Sequence, residues 1–99
     1  MTWPTTRYPL QFGLDNLVTG QQAVTGTAAA LADQPALVVI LKALKANSIS
    51  VFYGPAGVSI TTGNELAPGE SHLVSVSNLK LISVIAATTG VSVCWTALY

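Results

Sequence analysis

Residues 91–99 read Val91-Ser92-Val93-Cys94-Trp95-Thr96-Ala97-Leu98-Tyr99. Successive side chains of a strand point to opposite faces, so Val91, Val93, Trp95, Ala97 and Tyr99 share one face and Ser92, Cys94, Thr96 and Leu98 the other. The period is two, and the same period recurs on working back along the chain. Thr88-Thr89-Gly90 forms a tight connection to Leu79–Ala87, before which His72, Val74 and Val76 stand on a face opposite Leu73, Ser75 and Ser77. Pro68-Gly69 predicts a type II turn, in which Pro fixes the second position and Gly supplies the positive φ of the third. Val58–Thr62 alternates as well, and Gly54-Pro55-Ala56-Gly57 turns the chain between it and a strand carrying Ile49, Val51 and Tyr53 against Ser50 and Phe52.

Ala36–Ala43 is a nearly continuous apolar run. It is short, follows Pro35 and precedes the turn Ala46-Asn47-Ser48, which favours a strand buried on both faces, or in a sandwich core, over a helix. Thr27–Leu31 opens a further short strand that ends at Ala32-Asp33-Gln34-Pro35. Seven or eight short strands punctuated by Gly and Pro predict an all-β fold, a small antiparallel β-sandwich or barrel-like domain over residues 21–99.

Residues 1–20 read differently, with Pro4, Pro9 and Gly13 among the spaced aromatics Trp3, Tyr8 and Phe12. Proline removes a backbone donor and biases its predecessor toward extended conformations. The segment is therefore expected to be an extended N-terminal arm whose Trp3, Tyr8 and Phe12 bind a partner. The plainer alternative is a strand pinned to the domain's own sheet.

Composition narrows the partners. Of the 99 residues 51% are hydrophobic and 8% charged, with four acids, four bases and no formal net charge. Soluble domains commonly carry about 25% charged residues. A surface this poor in charge is expected to be covered by copies of itself or by another protein. Arg7, Lys42, Lys45 and Lys80 are scattered, which disfavours nucleic acid. The apolar run Ala36–Leu41 is far shorter than the ~20 residues of a spanning helix, so no membrane partner is expected. The N-terminal residues lack the pattern of a secretory signal, and the lone Cys94 fits synthesis in a reducing cytoplasm.

The chemistry-bearing residues are few. His72 is the one imidazole, and a nucleophile-base arrangement would have to use it with Asp15, Asp33, Glu65 or Glu70. At the start of a strand just past a turn, a histidine needs no catalytic explanation. Cys94 lies in an apolar strand with no base near it in sequence, and reads as a buried structural thiol. One Cys and one His fall short of a zinc ligand set. Asp15 and Asn16 would offer oxygens to calcium, but two adjacent ligands read as a solvated turn. Trp95 and Tyr53 are candidates for a sugar-stacking platform, against a plainer role as core or interface aromatics. No enzyme activity, no cofactor and no metal is expected.

The segment from Thr25 to Ala97 resembles small phage and prophage virion proteins of the head decoration type. The likeness rests on Ala30-Leu31-Ala32, Val39-Ile40-Leu41-Lys42-Ala43, Asn47, Val51-Phe52-Tyr53-Gly54 and Val58. It continues through Thr61-Thr62-Gly63-Asn64-Glu65-Leu66, Pro68-Gly69-Glu70-Ser71, Val76-Ser77-Asn78-Leu79 and Val84-Ile85-Ala86. The resemblance implies a β-sandwich that acts as a capsid decoration (cement) protein on the outer surface of the virion. The expected partners are further copies of the chain, as a homotrimer, and the major capsid protein. A carbohydrate- or receptor-binding module of a virion fibre or surface is the alternative. The family supplies no catalytic residues, and the arm lies outside the pattern.

Overall fold

The computed structural model describes residues 14–99; Trp3, Tyr8 and Phe12 lie outside the described residues. The fold is all-β. Among the described residues eight strands follow one another: β1 (Leu17–Val24), β2 (Ala29–Ala30), β3 (Val38–Ala43), β4 (Val51–Gly54), β5 (Asn64–Leu66), β6 (Ser71–Val74), β7 (Ser83–Ala86) and β8 (Val91–Leu98), with a 3-10 turn at Leu79–Leu81 before β7. They form two four-stranded sheets in the orders β1-β8-β3-β6 and β2-β7-β4-β5.

The pairings nest. β4 pairs with β5, β3 with β6, β2 with β7 and β1 with β8, all antiparallel. The chain is thus one long hairpin, turned at residues 55–63 and then wrapped over itself, which is the jelly-roll form of the β-sandwich. Wrapping places β8 beside β3 and β7 beside β4, completing the sheets.

The core lies between the two inner faces. Val39, Leu41 and Ala43 of β3 and Val91, Val93 and Ala97 of β8 are buried from one sheet; Val51, Leu66, Val84 and Ala86 are buried from the other. Leu79 of the 3-10 turn and Leu31 close the ends. Trp95 belongs to this core at 8% exposure, on the inner face that the alternation of residues 91–99 predicts.

Several expectations change. Of the two readings of β3 the structure has the sandwich-core strand and not the strand buried on both faces: Val39, Leu41 and Ala43 are buried, while Ile40 and Lys42 alternate with them and are exposed. Residues 58–62 are a turn and not a strand: Val58 N donates to Pro55 O, and Thr62 N and Gly63 N to Ser59 O. The hydroxyls explain it, since Ser59 N bonds Thr62 Oγ1 and Thr61 N bonds Ser59 Oγ, local bonds that compete with a ladder. The strand lies just beyond, at β5. The expected arm boundary at residue 20 falls inside β1, whose first four residues already pair with β8. Pro68-Gly69 turns as expected, with Gly69 at φ 86° and Glu70 N donating to Ala67 O at 2.8 Å.

Candidate functional site

The strand registers place the outward side chains of the β1-β8-β3-β6 sheet in rows. Leu17, Leu98 and Val38 stand side by side at one end. Thr19, Thr96, Ile40 and Leu73 form the next row, and Gln21, Cys94, Lys42 and Ser71 the one after. The first row and the Ile40–Leu73 half of the second make a contiguous apolar patch. Leu17 and Leu73 are 68% and 69% exposed, and Ile40 is exposed beside Leu73. Exposed apolar patches of this kind mark contact surfaces far more often than single exposed leucines do.

Beyond the patch the face is polar, and Lys42 is its one charge among these rows. An open trough of about 550 Å³ runs there, walled by Thr19, Gln21, Ile40, Lys42, Ser71 and Thr96. Its lining offers hydroxyls, an amide and an ammonium group. Cys94 points the same way, half-buried, its Sγ 3.5 Å from Lys42 O. The thiol is therefore not the core residue the sequence suggests; it stands on the outer face, although Trp95 beside it is in the core.

His72 points the other way, into the sandwich, where it meets Tyr53 of the opposite sheet. Tyr53 Oη lies 2.9 Å from His72 Nδ1, with the rings edge-on at 5.6 Å. With the ring proton on Nε2, His72 accepts from Tyr53 and faces Glu70 Oε2 at 3.5 Å. Ala67 N donates to Glu70 Oε1, and this bond, assisted by His72, holds the Glu70 carboxyl below its ordinary value. Burial, with the Glu70 charge second, raises the Tyr53 phenol. The cluster fastens β6 to β4 where the two sheets part. On the opposite flank Gln22 Nε2 donates to Ala30 O, joining β1 to β2.

Of the sequence candidates, Glu70 therefore does meet His72, whereas Asp33 is elsewhere, bonded to Asn78 Nδ2, and Glu65 accepts from Ser50. Among the described residues no group of three or more His, Cys, Asp and Glu is placed to hold a metal. The sugar-stacking platform is not formed by these rings: Trp95 is in the core, and Tyr53 is half-buried with its hydroxyl engaged. Sequence reading did not find the apolar patch. Leu17, Leu98, Val38, Ile40 and Leu73 come from four strands, and only the register brings them together.

No protein-family model matches the chain, and no curated protein shows significant similarity to it. Among solved structures the chain is similar to one from Bacillus endospore appendages, disulfide-linked pili. The identity is 18%, over 85% of this chain and 84% of that one, with a TM-score of 0.46.

Proposed function

We propose that this chain is a structural protein without catalytic activity, a decoration protein that sits on the outside of a virion shell and holds neighbouring shell subunits together by surface contact. The observation that carries the reading is the apolar patch on the β1-β8-β3-β6 sheet, with Leu73 69% exposed beside Ile40. Fully burying a leucine or isoleucine side chain contributes roughly 1.5–3 kcal/mol, and such a patch recovers that gain only against another surface. The low charge of the chain and the resemblance of residues 25–97 to phage virion proteins support the same reading. Trp3, Tyr8 and Phe12 add contacts to the shell, because aromatics bury large areas at low entropy cost.

The test is binding to shells assembled without the chain. Substituting Leu73→Asp and Ile40→Asp together is expected to weaken binding at least tenfold while the far-ultraviolet circular dichroism stays that of the parent. Undiminished binding by the folded double variant overturns the reading.

A further inference from the structure

We infer that the outer edge of β1 is a pairing site for β1 of a second copy of this chain, the two strands running antiparallel about a two-fold axis so that two sandwiches share one continuous sheet. This goes beyond contact with a shell, since it concerns like copies and a different surface.

Each sheet has two edges. Three of the four belong to short strands: β2 has two residues, β5 three and β6 four. β1 has eight, Leu17-Val18-Thr19-Gly20-Gln21-Gln22-Ala23-Val24. Edge strands are usually blunted by shortness, charge, proline or a bulge. β1 has no charge and no proline, and its register with β8 runs unbroken from Leu17–Leu98 to Val24–Val91. Among the described residues nothing pairs with its other side.

The hydrogen-bond parity says which groups are free. Asn16 and Tyr99 exchange both backbone bonds, Asn16 N to Tyr99 O and Tyr99 N to Asn16 O. In an antiparallel ladder such pairs alternate, so Val18, Gly20, Gln22 and Val24 bond to β8. Leu44 N donates to Ser92 O, which assigns the intervening residues of β8 to β3 and agrees with this parity. Leu17, Thr19, Gln21 and Ala23 therefore aim their N–H and C=O groups away from the sheet.

A second copy is the occupant that fits this edge. A two-fold contact sets each charge near its own image, and neither β1 nor β8 behind it carries any charge. The chain's own arm is the rival, but Pro4 and Pro9 lack the donors that a ladder needs. Parity then fixes the register. Outward residues must meet outward residues, and all four are used when Gly20 lies opposite Gly20 of the partner subunit. Leu17 then pairs with Ala23 of the partner subunit, and Thr19 with Gln21 of the partner subunit. That register forms about eight backbone hydrogen bonds.

Sedimentation of the full chain at tens of micromolar is expected to show a particle of twice 10.2 kDa. Gln21→Pro removes an outward donor and no bond to β8, and is expected to sediment as a monomer with unchanged circular dichroism. Should proline unfold the strand, Thr19→Lys with Ala23→Lys reads the same edge with the backbone intact, and is expected to weaken dimerisation at least tenfold. Serine at positions 3, 8 and 12 together is expected to leave the dimer in place. Four results overturn the inference: a parent chain that sediments as a monomer, a three-fold particle, a folded edge variant that dimerises like the parent, or loss of the dimer in the arm variant.

Discussion

Gly20 and Trp95 are opposite each other on β1 and β8, and the indole of Trp95 fills the space that a side chain at Gly20 would occupy. A Cβ built on Gly20 would overlap Cζ2 of that ring. Glycine in a strand interior ordinarily weakens it, and here an aromatic neighbour covers the gap. Gly20→Ala is therefore expected to destabilise the domain by about 1–3 kcal/mol, the usual range for overpacking a core. Chemical denaturation followed by tryptophan emission measures it. An alanine variant as stable as the parent would show that the ring moves aside freely.

The Tyr53–His72–Glu70 cluster makes stability depend on pH at both ends. The Glu70 carboxyl is lowered from 4.5, so its contribution is present above that value and is lost as pH falls through the lowered one. The Tyr53 phenol is raised from 10.0, so its contribution is present below that value and is lost as pH rises past the raised one. Tyr53→Phe is expected to cost about 1 kcal/mol at neutral pH and to remove this phenol's share of the alkaline loss. Thermal melts of both proteins from about pH 3 to about pH 11 test it.

Two asparagines replace missing ladder bonds. Asn47 Nδ2 donates to Ser92 O at 2.8 Å and its Oδ1 accepts from Ser92 N at 3.0 Å, so a side-chain amide pairs with β8 where β3 has ended. Asn78 Oδ1 accepts from Gln34 N and Lys80 N, tying the β2–β3 connection to the 3-10 turn. Asn47→Ala and Asn78→Ala are each expected to cost about 1–3 kcal/mol, because each strands partly buried backbone groups. Urea midpoints read the loss, and values near zero would mean that water replaces the amides.

Shell binding is expected to be nearly independent of ionic strength. Lys42 is the one charge in the outer rows and Arg7 the one charged side chain of residues 1–13, and two dispersed cations give little steering field. Titrations between about 50 and 300 mM salt span the range over which exposed charges become screened. A steep fall in affinity over that range would point to an electrostatic interface instead.

Strands whose burial follows the alternation were legible in the sequence; those decided by distant residues were not. β8 shows its inner face directly, since Val91, Val93, Trp95 and Ala97 are the buried positions. β1 was half lost to the arm because Gly20 interrupts its apolar pattern, and the group that fills the gap is Trp95, far along the chain. Thr61 and Thr62 favour strands by propensity, but the Ser59 hydroxyl captured them into a turn. Sequence spacing brought His72 near Glu70, while Tyr53 reached it only through sandwich closure. The apolar patch was hidden for the same reason: no stretch of sequence contains it.

The nested pairing also orders the assembly of the domain in time. Val51 and Leu66 are joined through the single connection at residues 55–63, whereas Leu17 and Leu98 lie at opposite ends of the described chain. Closing the inner pair first shortens the loop left for the next, so each step lowers the entropic cost of the following one. Zippering is therefore expected to run outward from the β4–β5 turn, with β1 docking last. A chain with such non-local pairing belongs among slow folders, in the range of milliseconds to seconds. Until β1 arrives, β8 presents an uncharged and unpaired strand edge, a window in which nascent chains of this protein are most exposed to misassociation.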